Sequence, residues 1–123
     1  MGVFNEVVVL GKEKLDRERI LDRAFDLLRQ IDAKMSHYKE TSEISRINRL
    51  GYEKPQEVSP ETFEVIEASV KFYEKSGRVF DITVLPLVKL WGFYSGDPHL
   101  PRPEEIQSLL PRIGAHQLIL EPP

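Results

Sequence analysis

Two oxygen-bearing side chains, the carboxylate of Asp81 and the hydroxyl of Thr83, stand inside an apolar run from Ser76 to Phe93. The run reads Ser-Gly-Arg-Val-Phe-Asp-Ile-Thr-Val-Leu-Pro-Leu-Val-Lys-Leu-Trp-Gly-Phe. An ionised acid among Val79, Phe80, Ile82 and Val84 costs several kcal/mol unless hydrogen bonds or a partner compensate. Two kinds of chemistry supply that compensation. In one, Asp81 supports the start of a short helix through Val84 to Trp91, with Thr83 as its N-cap and Pro86 in a first turn whose N–H groups lack intrahelical partners. In the other, Asp81 accepts hydrogen bonds from a ligand. Local patterning leaves both open.

Other reactive groupings are missing from the sequence. His37, His99 and His116 are isolated, with no imidazole or carboxylate at a metal-gathering spacing. No Gly-x-Gly-x-x-Gly, no phosphate-binding Gly-x-x-x-x-Gly-Lys and no serine nucleophile elbow occurs, so motifs of this kind assign neither catalytic residues nor metal ligands. Cysteine is absent, which excludes disulfide and thiolate chemistry. Lysine and arginine number 17 against 20 acids, a net charge of -3, and no basic stripe interleaves with aromatics. A nucleic-acid partner is therefore not expected.

The elements that must position Asp81 follow from periodicity. Val3 to Leu10 is β-branched and apolar on both faces, ends at Gly11, and predicts a strand inside a sheet. From Asp16 to Lys34, Ile20, Ala24, Leu27, Leu28, Ile31 and Met35 recur at helical steps, with Asp16 as N-cap and mixed charges on the wet face. Thr41 or Ser42 caps a short helix whose stripe is Ile44, Ile47 and Leu50, and Gly51 is a left-handed stop. Tyr38 reads as a boundary aromatic and Asn48 as a helix C-terminal residue. Ser59-Pro60-Glu61 starts a further helix, with Phe63, Ile66, Val70 and Tyr73 inward and Gly77 closing it. Ser95 to Pro98 is a turn, and Pro103 opens a short helix in which Glu104 and Glu105 complement the dipole. Gln117 to Leu120 predicts a last strand.

A chain of 123 residues, 41% hydrophobic and 30% charged, is enough for one small domain with a modest core. The expected class is α+β, a mixed sheet with packed helices, in which the strands at Val3 and Gln117 share one sheet. The opening Met-Gly-Val-Phe-Asn-Glu lacks the basic start and apolar core of a signal peptide, and no run approaches membrane-spanning length. The final strand, with nothing visible to pair it, suggests a domain cut short.

Taken together these blocks resemble the front part of the FAD:protein FMN transferases, the ApbE family once described as thiamine-biosynthesis lipoproteins. Met1-Gly2 before a strand is similar to the family's Met-Gly-Thr opening. Ser36-His37-Tyr38 and Ser42-Glu43-Ile44-Ser45-Arg46-Ile47-Asn48 match its Met-Ser-x-Tyr and Ser-Glu-x-Ser-x-x-Asn spacing. Phe80-Asp81-Ile82-Thr83, Pro86-Leu87-Val88 and Leu90-Trp91-Gly92-Phe93 match most specifically. Arg78-Val79 departs from the Gly-Ala or Gly-Gly usual before Phe-Asp.

The resemblance implies that residues 1–123 are the N-terminal part of a single ApbE-like domain. It implies FAD contacts at Met1, Tyr38, Asn48, Val79, Phe80 and Asp81, with Asn48 near the adenine and Tyr38 beside the dinucleotide. The implied reaction moves FMN from FAD to a threonine or serine of a target flavoprotein, with AMP leaving and Mg2+ assisting. Family members are commonly exported and lipid-anchored. The metal-binding acids and functional histidine of the family lie beyond the matched blocks, so the segment alone is expected to be inactive. The competing expectations are a non-catalytic flavin- or nucleotide-binding module, or an interaction fragment whose half-exposed core docks a partner.

Overall fold

A computed structural model describes residues 4–11 and 14–121. Met1 and Val3, and Pro122 and Pro123, lie outside the described residues. The chain divides into two compact units, residues 1–62 and 63–123.

In the first unit, α1 (Lys14–Met35) is followed by a turn and by α2 (Glu43–Leu50), which packs against it. The half-buried stripe of α1 is Leu21, Ala24, Leu28, Ile31 and Met35, whereas Ile20 and Leu27 of the expected face are exposed. Asp16 lies in the first turn of α1 instead of capping it. α2 begins where the hydroxyl of the fully buried Ser42 accepts the amide of Ser45 at 3.0 Å, satisfying one orphan donor of the first turn. Gly51 ends it in right-handed geometry, φ -64°, and not in the expected left-handed one. Glycine serves there for closeness: a Cβ would lie 2.7 Å from the Ile47 carbonyl oxygen.

α3 (Pro60–Lys75) starts on Ser59-Pro60-Glu61 as the residue types dictate. Past residue 62, in the second unit, it buries Ile66 and Tyr73 and half-buries Phe63 and Val70. The helix closes in a Schellman motif, with Arg78 N–H donating to Tyr73 O at 2.8 Å and Gly77 N–H to Glu74 O at 3.1 Å. Gly77 takes φ +65°, and Arg78 continues left-handed at φ +72°. α4 (Leu85–Leu90) and α5 (Pro103–Leu109) pack together, and short 3-10 turns at Leu110–Arg112 and Ala115–Gln117 follow. Between α4 and α5, Gly92 at φ +75° lets the Asp97 amide reach its carbonyl at 3.1 Å.

The expected mixed sheet is not present, because no residue among those described forms a strand. Residues 4–10 do alternate, with Val7 and Val9 half-buried and Val8 and Leu10 exposed, but an extended run becomes a strand only when a second backbone ladders against it. Gln117 closes a 3-10 turn, and Leu118 is extended, φ -77° and ψ 124°, without pairing. The architecture is helical within each unit.

Candidate functional site

The expected contact residues fall in both units. Met1 lies outside the described residues. Tyr38 sits in the turn after α1, 60% exposed, its ring 4.0 Å from that of His37 at an interplanar angle of 37°. Ser45 Oγ donates to His37 O at 3.4 Å, fastening that turn to α2. Asn48 is exposed in the last turn of α2. Val79, Phe80 and Asp81 belong to the second unit, in the loop between α3 and α4.

That loop is built by short polar ties. Ser76 Oγ donates to Tyr73 O at 3.1 Å and accepts the Phe80 amide at 3.0 Å, so the residue just past α3, tied to its last turn, dictates where Phe80 goes. Phe80 meets Phe72 edge-on, ring centroids 6.3 Å apart. Asp81 Oδ1 accepts both the Thr83 amide at 2.8 Å and the Thr83 hydroxyl at 2.7 Å. The N-cap of α4 is Val84, with no side-chain bond to the helix, so Thr83 does not cap it as expected. Instead Thr83 Oγ1 accepts the Gly114 amide at 2.8 Å. The backbone tie that sequence left open for Asp81 is thus real, but it occupies one carboxylate oxygen. Asp81 Oδ2 and the amides of Val79 and Asp81 have no hydrogen-bond partner among the described residues. Val79 itself is 88% exposed.

Each unit also carries an open depression. One, of about 590 Å³ in the first unit, is bounded by Glu43, Arg46 and residues 54–59. There Glu43 Oε2 accepts the amide and hydroxyl of Ser59 at 3.1 and 3.0 Å, and Arg46 donates to Glu57 O. Burial opposes ionisation of Glu43, but hydrogen bonds from Thr62 and Ser59 and the charge of Lys34 outweigh it and hold its carboxyl below the ordinary value. The other, about 330 Å³, is lined by Val70, Tyr73, Glu74, Gly77, Arg78 and His116. Tyr73 OH lies 2.9 Å from His116 Nδ1. Neither depression is lined by Tyr38, Asn48 or Asp81. Magnesium seeks several hard oxygen ligands, and among the described residues no group of three or more His, Asp or Glu side chains gathers. The residues described therefore do not make up a magnesium site.

Thr83–Gly114 and Tyr73–His116 are the links that sequence reasoning missed. His116 was legible only as isolated, because its partner is 43 positions away.

Comparison with known proteins agrees along the whole chain. The FAD:protein FMN transferase of Vibrio cholerae is 32% identical over 98% of this chain and 37% of its own length. Its Salmonella typhimurium counterpart is 30% identical over 96% of this chain and 34% of its length. The crystal structure of the ApbE protein of Thermotoga maritima superimposes with a TM-score of 0.77 at 28% identity, over 90% of this chain and 36% of that one. The apo flavinyl transferase ApbE of Pseudomonas stutzeri gives 0.76 at 25% identity, over 85% and 34%. The chain thus spans about a third of the length of the relatives it matches. The family model described as "ApbE family" matches residues 1–122, and the chain belongs to that family.

Proposed function

We propose that these residues are the N-terminal part of an ApbE-like domain that transfers FMN from FAD to a threonine or serine hydroxyl of a target flavoprotein. Their share of the task is holding FAD. The observation that carries this reading is the Val79–Asp81 loop. It offers Asp81 Oδ2 and two main-chain N–H groups without partners among the described residues, within the block whose spacing matches the family most specifically. A carboxylate accepts ribose or base N–H and O–H donors with charge assistance, and the free amides suit nucleotide acceptor atoms. Tyr38 offers a flat, exposed ring with a polar tip, fitting the wall of a heterocycle. Asn48 supplies both donor and acceptor for adenine. Met1, Val79 and Phe80 complete the proposed contact set.

The reaction displaces AMP at a pyrophosphate phosphorus, where a bound divalent ion would neutralise developing charge. The proposal places the Mg2+ ligands and the catalytic base beyond these residues. What this chain supplies is orientation of the donor nucleotide.

Titration calorimetry with FAD tests the reading. Asp81→Ala is expected to weaken binding by about tenfold, the worth of a charge-assisted hydrogen bond, and Tyr38→Phe to weaken it less. Equal affinity in wild type and Asp81→Ala would remove the reading's footing. Mass spectrometry of a threonine-bearing target, incubated with FAD and Mg2+, separates the functional classes. The whole domain should leave FMN on the target, and the 123-residue segment alone should not. Binding without transfer by the whole domain would identify a non-catalytic flavin module instead.

A further inference from the structure

Thr83 stands between two parts of the second unit that are 31 residues apart in sequence. A threonine hydroxyl has one proton to give and lone pairs to receive. Here the hydroxyl proton goes to Asp81 Oδ1 at 2.7 Å, while the Gly114 N–H donates to Thr83 Oγ1 itself at 2.8 Å. Both directions of the hydroxyl are therefore set. With the Thr83 amide also on Oδ1 at 2.8 Å, the carboxylate can rotate only by breaking bonds. The donor at Gly114 is itself held. Ala115 beside it is fully buried, and His116 Nδ1 lies 2.9 Å from the hydroxyl of the buried Tyr73 of α3. Gly114 has φ +138°, and a Cβ there would lie 2.3 Å from His116 Cε1, so a side chain at this position would displace the His116 ring.

We propose that Thr83 is a positioning residue for flavin-nucleotide binding: anchored by the Gly114 amide, its hydroxyl pins Asp81 Oδ1 and so presents Oδ2 to the ligand. This rests on the reading of Asp81 as a nucleotide acceptor. A carboxylate fixed before the ligand arrives loses less freedom on binding than one free to turn. The occupant of the Thr83 position must therefore carry a hydroxyl, and its methyl group is secondary.

The test titrates FAD into the protein as it occurs, wild type and variants, with a thermal melt on the same samples. Thr83→Val keeps the shape and removes the hydroxyl; Thr83→Ser keeps the hydroxyl. Binding is expected to weaken by about three- to tenfold in Thr83→Val and to stay within about twofold of wild type in Thr83→Ser. A packing role predicts the reverse order, and a role in stability alone predicts a lower melting temperature with unchanged affinity of the folded fraction. Either result overturns the proposal. If Thr83→Val melts below the titration temperature, Thr83→Ala is read against Thr83→Ser by the same criterion. Asp81→Ala distinguishes the two levels. Its weakening with an unaffected Thr83→Val overturns the positioning role alone, while wild-type affinity in Asp81→Ala overturns that role and the underlying FAD reading together.

Discussion

Gly77 and Gly92 have nearly the same left-handed φ, +65° and +75°, yet the space around them differs. A Cβ on Gly77 meets nothing within 4 Å, whereas one on Gly92 would lie 1.9 Å from the Asp97 carbonyl oxygen. Gly77→Ala should cost only the conformational penalty, about 1 kcal/mol, and Gly92→Ala at least about twice that, because backbone must move. Urea melts of the two variants measure the difference. Arg78 holds φ +72° with a full side chain, at the position where the family's usual residue is glycine. Arg78→Gly exchanges steric cost in the folded state for extra freedom in the unfolded one, so its stability should lie between unchanged and about 1 kcal/mol higher. Sequence alone singled out Asp81 and noticed the departure at Arg78-Val79. It did not separate the two oxygens of Asp81: Oδ1 is taken by the amide and hydroxyl of Thr83, and that hydroxyl is held in turn by the Gly114 amide, far along the chain.

Between elements, one polar tie of the first unit is Glu43, at the first position of α2, reaching the Ser59 amide and hydroxyl where α3 begins. Ser59 Oγ lies 3.2 Å from Oγ1 of the fully buried Thr62. The folded-state pKa of Glu43 is depressed. The stabilisation is therefore full above the unfolded glutamate value and is lost as pH falls through the lower folded value. Glu43→Gln should lower neutral-pH stability by about 1 kcal/mol and flatten the acid side of the stability profile, read from denaturant midpoints between neutral pH and the onset of acid unfolding. Helix starts were legible because capping is local: Ser42, Pro60 and Pro103 each mark one. In α5, Glu105 Oε2 accepts the Arg102 amide at 2.9 Å, so the acid read as a dipole complement also reaches back to satisfy the N-cap N–H. The strands expected at Val3–Leu10 and Gln117–Leu120 are not formed among the described residues, since valines report a preference for extended backbone while pairing depends on a partner no local window contains.

Within the whole chain, among the described residues, Ile66, Tyr73, Pro101 and Ala115 are the apolar residues other than glycine that are under a tenth exposed, and all belong to the second unit. A composition that is 41% hydrophobic predicts a modest core, but composition does not say how the apolar residues are shared between two units. The family was legible because its motifs sit in short contiguous blocks that each unit keeps intact. Val79, at 88% exposure, follows an arginine in an unfavourable turn. That pairing gives the molecule a weak link: trypsin cleaves after arginine and needs its substrate drawn out straight, and here only a few residues must relax to comply. The first nick should fall between Arg78 and Val79, yielding two fragments readable on a gel. If FAD seats on the Val79–Asp81 loop as proposed, it should slow that digestion, turning the Arg78–Val79 bond into a reporter of occupancy.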